Sequence, residues 1–300
     1  GRRVGYVKGF PANRDERDEG EFLRAVSAAV HADVAVVFAG LPESFVSPDA
    51  DRRTLRLPDC QNNLIARIAA VQKNTVVVLH AGAPVECPWA GDVSAVLCMY
   101  LAGEGVGEAT DALLWGDANP SGRLPETWPL RLEDTPCYLD FPGDGVTADY
   151  REGVYVGYRW YDARRMPVLW PFGHGMGYTG FVYRNARLSA NTLAEGGEIK
   201  VCVTVKNSGA VRGAEVVQLY ISDETGAHIA GGRVPQVLRG FSKVWLDPGE
   251  ERDVEFVLTA RDLAHYDPTR RAWHTAPGRY LLRLGHTSRD IRASLGLNFG

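Results

Sequence analysis

Residues 33–58 read DVAVVFAGLPESFVSPDADRRTLRLP, and this stretch decides the architecture of the first half of the chain. A continuous apolar run covers Val34–Ala39 and stops at Gly40. Such a run predicts a strand that is buried on both faces of a parallel sheet. The loop that follows carries three acidic residues: Glu43, Asp49 and Asp51. It would lie at the carboxyl end of the strand, where open α/β sheets form their ligand crevices.

Helices and strands alternate on both sides of this stretch. Apolar residues at helical spacing predict helices at Glu19–His31, at Cys60–Val71 and from about Glu108 to Leu114. Apolar runs predict two more buried strands, Thr75–His80 and Val93–Tyr100. This rhythm predicts an open α/β sheet that is covered by helices.

The hydrophobic period changes to two from about Phe181 onward. Apolar and polar residues alternate in 199–205, 217–221, 254–258 and 280–284, with turn-forming residues between these segments. About seven short strands over roughly 120 residues predict an immunoglobulin-like sandwich. Because no cysteine pair is placed to bridge two sheets, the fibronectin type III-like variety is favoured.

The segment 116–178 separates these two patterns. It is rich in proline and aromatic residues, so we interpret it as an extended segment that wraps the first domain and leads to the next. We therefore predict two domains: an α/β sandwich domain with this linker at 1–178, and a fibronectin type III-like domain at 179–300.

Composition limits the classes of function. The chain has 300 residues, of which 45% are hydrophobic and 23% charged, and a formal net charge of −4. This balance argues against a general nucleic-acid or membrane-surface binder, which needs a basic patch. No apolar run approaches the length of a membrane-spanning helix. The sequence opens on Gly1 without a methionine, so we expect it to be part of a longer chain whose first residues lie upstream.

The five cysteines are Cys60, Cys87, Cys98, Cys137 and Cys202. They are widely spaced and contain no Cys-x-x-Cys pair, so we expect neither a metal site nor a disulfide framework. Scattered, mostly buried thiols slightly favour a reducing compartment such as the cytoplasm. The compartment and the oligomeric state are otherwise undetermined by the sequence.

Two other motifs give weak evidence of a function. The glycines in 103–107 lie between a strand and a helix, where a dinucleotide-binding loop would lie. Glu108 replaces the third glycine of that fingerprint, and acidic residues repel a pyrophosphate, so a tight turn without a bound cofactor is the favoured interpretation. His174 lacks a partner motif and is interpreted as a structural histidine.

The acidic loop remains the best functional candidate. Its carboxylates could supply a general acid. In the alternative interpretation, the loop is solvated and Asp51 pairs locally with Arg52.

Several strings resemble one known family. DVAVVFAGLPESF, NTVVVLHAGAPVECPW, GDANPSGRLPETWPLRLEDTP, YREGVYVGYRWYD and PVLWPFGHGMGYTGFVY resemble the C-terminal half of family 3 glycoside hydrolases of the β-glucosidase type. AEVVQLYISD, LRGFSKVWLDPGE and RDLAHYD resemble the fibronectin-type domain that ends those enzymes. The strings occur in the family's order, so the resemblance covers nearly the whole chain.

The resemblance implies a retaining glycosidase that acts on a β-glucoside or oligosaccharide. In this family an N-terminal (β/α)₈ barrel supplies the aspartate nucleophile and most of the sugar-binding subsite. The α/β sandwich supplies the acid/base glutamate, on a loop that matches residues 41–52 here. The family's sheet also has strands before the first residue of this sequence, so we expect an incomplete sheet edge, which can serve as a docking surface.

The loop departs from the family pattern. Aligned on Gly40-Leu41 and Asp51-Arg52, the two expected glutamates fall on Val46 and Pro48, neither of which can transfer a proton. Nearby carboxylates that could substitute are Asp49, which is favoured, and Glu43. The resemblance also suggests Phe45 as a sugar platform and Arg52 as a substrate-binding residue.

These departures lead to two hypotheses. In the first, the chain is the C-terminal portion of a β-glucosidase-like enzyme and is inactive without the barrel. In the second, it is a degenerate, non-catalytic module that binds carbohydrate or protein through the rim of the former active site.

Overall fold

The computed structural model describes residues 3–46, 51–226 and 232–300. The chain divides into two compact units, which are treated separately. The first comprises Gly1–Ala112 and Pro129–Ala148, and the second comprises Leu113–Trp128 and Asp149–Gly300. The proline-rich segment is therefore shared: only 129–148 belongs to the first unit, and its remaining parts belong to the second.

The first unit has the α/β alternation that the sequence predicts. Its helices and strands, in chain order, are α1 Glu19–Val30, β1 Ala35–Gly40, α2 Asp59–Val71, β2 Thr75–His80, β3 Ala95–Cys98 and α3 Val106–Trp115, the last of which ends beyond this unit. The strands form a parallel sheet in the order β1-β2-β3.

Local chemistry explains where α1 begins. The side chain of Asp18 accepts a hydrogen bond from the Glu21 N–H at 3.0 Å, which satisfies one of the free donors of the first turn. Glu19 and Glu21 place negative charge at the positive end of the helix dipole. The apolar face then buries Phe22, Ala25 and Ala29.

The prediction that Val34–Ala39 is buried on both faces is wrong. Side chains on one face of β1 are buried, whereas Val36 is 38% exposed and Phe38 is 54% exposed on the other. The physical reason is position: β1 lies at the edge of the described sheet. The central strand β2 matches the expectation, since Val77, Val78 and Leu79 are fully buried.

The second unit is dominated by β-structure. In chain order its strands and helices are α4 Tyr158–Ala163, β4 Phe181–Leu188, β5 Thr192–Leu193, β6 Glu198–Asn207, β7 Gly213–Asp223, β8 Val237–Leu246, β9 Glu251–Thr259, α5 Ala260–Leu263, β10 His265–Asp267, β11 Ala272–His274, β12 Gly278–Gly285 and β13 Ile291–Phe299. One sheet has the order β5-β13-β12-β7-β8 and another has the order β4-β6-β9, while β10 and β11 form a hairpin.

Alternating side chains from these two sheets form one apolar core. Its fully buried members include Val201, Val203, Leu219, Leu282 and Leu297. This period-two burial is the pattern predicted from the sequence. The predicted fold class, an α/β sheet domain followed by a fibronectin type III-like sandwich, is confirmed.

The cysteines, the helices and the potential metal ligands can be compared with the predictions made for them. All five cysteines are free thiols, and Cys60, Cys87 and Cys202 are buried. Across 3–46, 51–226 and 232–300, no helix is long and apolar enough to cross a membrane. Within the same ranges, no group of three or more His, Cys, Asp or Glu side chains is arranged to hold a metal ion.

Candidate functional site

The loop after β1 begins at a close contact between β1 and β2. The Gly40 N–H donates to Gln61 Oε1 at 2.9 Å, and the Leu41 N–H donates to the His80 carbonyl at 3.1 Å. A Cβ on Gly40 would overlap that carbonyl oxygen. These contacts fix the direction in which the chain leaves the carboxyl edge of the sheet.

A short 3₁₀ helix, Glu43–Phe45, carries the first half of the loop. The Ser44 hydroxyl donates to the Asn13 carbonyl at 3.1 Å, which ties this helix to the segment that precedes α1. The side chain of Val46 follows and is 43% exposed. A side chain at position 46 therefore points at least partly into solvent.

The second half of the loop is held against the start of α2. The Glu86 N–H donates to the Leu55 carbonyl at 2.9 Å, and the Arg56 guanidinium pairs with Asp59 at 2.5 Å. The Asp15 carboxylate accepts from the Asp59 and Cys60 N–H groups, each at 2.8 Å. Burial opposes the ionised form of Asp15, but these two donors outweigh it and lower its pKa.

Residues from both described parts of the loop line an open pocket of about 290 Å³. Its lining residues are Leu41, Ser44, Phe45, Asp51, Arg52, Arg53, Thr54 and Arg56. The lining thus combines one aromatic ring with three guanidinium groups, one carboxylate and hydroxyl groups. Aromatic faces and planar hydrogen-bond donors of this kind suit a polyhydroxylated ligand such as a sugar.

Arg52 is the most constrained basic residue of this pocket. Its Nη1 donates to the Pro84 carbonyl at 3.3 Å, and its Nη2 is buried without a hydrogen-bond partner. Burial lowers the pKa of its guanidinium. No ion pair between Asp51 and Arg52 occurs among the described residues, so local charge pairing does not explain the position of Arg52.

The predicted site residues differ in their position relative to the pocket. Phe45 and Arg52 both line the pocket, whereas Glu43 is exposed on the 3₁₀ helix and does not belong to the lining. Asp49 and Pro48 lie outside the described residues. Position 46, where the family alignment expects a glutamate, carries the apolar side chain of valine.

Five lining residues are not among the candidates that the sequence indicates: Leu41, Ser44, Arg53, Thr54 and Arg56. The sequence signal for the two arginines among them is the dense run of basic residues after Asp51. Arg53 and Arg56 line the same pocket as Phe45, which the sequence pattern of neither segment indicates.

The other two motifs, 103–107 and His174, do not belong to the lining of this pocket. The Val106 N–H donates to the Gly103 carbonyl at 3.1 Å in a turn that leads into α3. His174 stacks parallel to Trp170 with ring centroids 6.3 Å apart. The pKa of His174 is lowered by burial first, and then by electrostatic interaction with His286 and Arg123.

Known protein families contain a segment similar to the one that carries this site. The family model described as the glycosyl hydrolase family 3 C-terminal domain matches residues 12–178, which include the whole loop. The chain belongs to glycoside hydrolase family 3. A second model, the fibronectin type III-like domain, matches residues 215–288. The resemblance noted from the sequence strings is therefore confirmed.

Similar members of family 3 are β-glucosidases. Thermostable β-glucosidase B of Acetivibrio thermocellus is 43% identical over 95% of this chain, which covers 38% of that protein. A β-glucosidase of Bacteroides ovatus is 37% identical over 92% of the chain and is covered over 37% of its length. The crystal structure of a family 3 β-glucosidase from Bifidobacterium adolescentis superposes with a TM-score of 0.93 at 36% identity, with 99% of this chain and 43% of that one covered. The chain thus spans less than half of the length of each.

Proposed function

We propose that this chain works as the C-terminal part of a β-glucosidase-type retaining glycoside hydrolase, in which loop 41–52 forms one rim of the sugar pocket. The observation that carries the proposal is the pocket at the carboxyl edge of β1, lined by Phe45 and Arg52 within the segment matched to family 3. The similar proteins named β-glucosidases support the choice of a β-glucoside as substrate.

Within this proposal, the chain supplies binding surface and a barrel outside these residues supplies the nucleophile. Retaining hydrolysis needs two carboxyl groups about 5–5.5 Å apart, one as nucleophile and one as acid/base. Phe45 would present its ring to a sugar, and the guanidinium of Arg52 would donate hydrogen bonds to sugar hydroxyls. We expect the 300-residue chain alone to have no glycosidase activity.

Of the steps in the family mechanism, acid/base catalysis is the one that the residues of this chain support least. Val46 stands at one expected glutamate position and cannot transfer a proton. Glu43 is exposed and outside the pocket lining. Asp49 is favoured as the substitute because it is one residue from an expected glutamate position. We propose two alternatives: either Asp49 acts as the acid/base at reduced efficiency, or the loop has lost its acid/base. An aspartate is shorter by about one carbon–carbon bond, and misplacement of about 1 Å can cost about a hundredfold in rate.

Hydrolysis of p-nitrophenyl-β-glucoside tests the proposal directly. Two proteins are compared: the 300-residue chain, and a chain extended upstream through a family 3 barrel. We expect turnover only in the extended protein. If that protein needs added azide, which can attack the glycosyl-enzyme without a general base, then loop 41–52 has lost its acid/base. Turnover without azide that disappears in Asp49→Asn assigns the role to Asp49. Turnover by the 300-residue chain itself would refute the requirement for a barrel.

A second candidate function is a non-catalytic carbohydrate-binding or protein-binding module. The specific observation in its favour is that the pocket keeps its aromatic and basic lining although position 46 is apolar. Calorimetric titration of the 300-residue chain with cellobiose tests it, with Phe45→Ala and Arg52→Ala as site variants and Phe241→Ala, an exposed phenylalanine of the second unit, as the matched control. Binding that is lost only in the site variants supports the module. No heat of binding at millimolar sugar counts against carbohydrate recognition by this chain alone.

A further inference from the structure

A buried charge cluster lies in the second unit, outside the proposed sugar site. Its centre is Glu215 of β7, which is 1% exposed. Glu215 Oε1 accepts from the Val216 N–H at 2.7 Å and from Arg123 Nη2 at 3.2 Å. The Nδ1 atom of His286 lies 2.9 Å from Oε1 and 3.0 Å from Oε2.

The other ring nitrogen of His286 also faces an acceptor. Nε2 lies 2.8 Å from the Gly175 carbonyl oxygen, which has no proton to donate. A neutral imidazole carries one N–H, so it can donate to only one of these two partners. Both contacts are satisfied at the same time when the ring carries both protons, as an imidazolium.

The alternative position for the extra proton is the carboxyl group of Glu215. Two donors, Arg123 and the Val216 N–H, already point at that group. A positive guanidinium and a backbone donor both favour the ionised carboxylate. The ring of His286 is therefore the better place for the proton.

The Gly175 carbonyl belongs to a segment that contacts the sandwich mainly through its backbone. Gln218 Nε2 donates to the Gly173 carbonyl at 3.3 Å, and the Ser288 N–H donates to the Phe172 carbonyl at 3.0 Å. Gly173 also has a positive φ of 81°, and a Cβ there would overlap the side chain of Gln218. Of these three contacts with the sandwich, the one from His286 is the one whose donor group can carry either one proton or two.

Charged and titratable groups from several elements belong to this cluster. Glu215 on β7 contacts the ring directly, and His174 in the 172–175 segment interacts electrostatically with His286 and with Arg123, before Leu124. Tyr183 on β4, Asp290 after the β12 end and Arg292 on β13 interact electrostatically with one another, and Tyr183 and Arg292 also with Glu215. Burial raises the pKa of Tyr183 far above its ordinary range, so this phenol stays neutral. The pKa of His174 is lowered, chiefly by burial, so this second imidazole loses its proton more readily than an exposed one.

We propose that His286, held between Glu215 and the Gly175 carbonyl, is a pH-sensitive latch that fastens residues 172–175 to the fibronectin type III-like sandwich. At mildly acidic pH the imidazolium joins the two. When the ring loses a proton at higher pH, one of the two contacts loses its donor and the segment opens locally more often. The device is independent of the proposed sugar site.

Hydrogen exchange in the 300-residue chain tests the latch. The Gly173 N–H donates to the Leu124 carbonyl, and the His174 N–H donates to the Pro171 carbonyl, so these two amides report on local opening. After correction for the intrinsic pH dependence, we expect their protection to fall about tenfold between about pH 6 and about pH 8.5, because a charge-assisted hydrogen bond is lost. His286→Gln should show the lower protection at both pH values, whereas His31→Gln, at an exposed histidine of the first unit, should behave like the unaltered chain.

A spectroscopic measurement keeps the proposal testable if His286→Gln folds poorly. Nitrogen chemical shifts of the labelled imidazole ring distinguish the imidazolium from either neutral tautomer. Two protonated ring nitrogens in His286 at about pH 6 are expected. A neutral ring at that pH, or protection of Gly173 and His174 that does not change with pH, would overturn the latch. So would a His286→Gln variant that keeps the pH dependence of the unaltered chain.

Discussion

Gly40 and His80 end two neighbouring parallel strands in register, and a Cβ on Gly40 would overlap the His80 carbonyl oxygen. This approach allows the Leu41 N–H to bond the same carbonyl and sets the start of the pocket loop. The contact therefore links the packing of the sheet to the geometry of the candidate site.

Gly40→Ala should destabilise the chain by about 1–3 kcal/mol, because the added methyl group forces β1 and β2 apart. Chemical denaturation followed by fluorescence measures the loss. Gly107→Ala is the matched control, since a Cβ there meets nothing within 4 Å and lies within α3. Alanine favours a helix over glycine, so the control should be neutral or slightly stabilising. An equal loss in both variants would contradict the role of the Gly40 contact.

Asp15→Ala should lower the free energy of unfolding by about 1–2 kcal/mol at neutral pH, because it removes the acceptor for two N–H groups at the start of α2. The pKa of Asp15 is lower in the folded chain than its ordinary value. Its stabilising contribution is therefore present above the unfolded-state pKa and is lost as the pH falls through the folded-state pKa. The difference between the two proteins should shrink in acid.

Denaturation of Asp15→Ala across a pH series measures this change. Asp33→Ala removes an exposed carboxylate from the same unit and is the control. A stability difference for Asp15→Ala that stays constant down to strongly acidic pH would show that the carboxylate charge plays no part.

Asn207→Ala should destabilise the sandwich by about 2–4 kcal/mol, because several buried groups lose their partners at once. Its Nδ2 donates to the Val211 carbonyl at 2.8 Å and to the Leu246 carbonyl at 3.0 Å. Its Oδ1 accepts from Thr179 Oγ1 and from the Gly209 N–H. Thermal unfolding measures the loss, and Asn191→Ala, at an exposed position, should change stability by less than about 0.5 kcal/mol.

Val46→Glu should increase the activity of the barrel-extended protein, because it restores a carboxyl group at an expected acid/base position. General acid catalysis contributes about 10²–10⁴-fold, and a substrate with a poor leaving group such as cellobiose shows the effect best. Val46→Gln has nearly the same size but cannot transfer a proton, so it should stay at the starting rate. Equal rates for both substitutions would argue against an acid/base position at residue 46.

Phe45→Ala should raise the KM of the barrel-extended protein for aryl glucosides about five- to tenfold and change kcat less, since it removes an aromatic face from the pocket. Phe241→Ala, an exposed phenylalanine on β8, is the control and should leave KM unchanged. A fall in kcat with an unaltered KM would indicate that Phe45 positions the reacting groups rather than binding the sugar.

Sequence pattern alone predicted the fold class of both units and the order of helices and strands in the first, although β3 is shorter than the predicted Val93–Tyr100 and only partly buried. The strand Thr75–His80 agrees with its predicted bounds, and the helix predicted at Cys60–Val71 begins one residue earlier, at Asp59. These elements are predictable because helical and strand periods reflect which side chains leave water. The family strings likewise located loop 41–52 as the candidate site, and with it Phe45 and Arg52.

Only the tertiary structure decided which residues meet. Exposure of Val36 and Phe38 depends on the edge position of β1, which an apolar run does not record. Arg53 and Arg56 line the same pocket as Phe45, although they follow it by several positions in the sequence. His286 reaches Gly175 across 111 positions of sequence. Short-range periodicity carries information about burial, but contacts between distant segments arise from the packing of whole sheets, so they could not be derived from the pattern of any one segment.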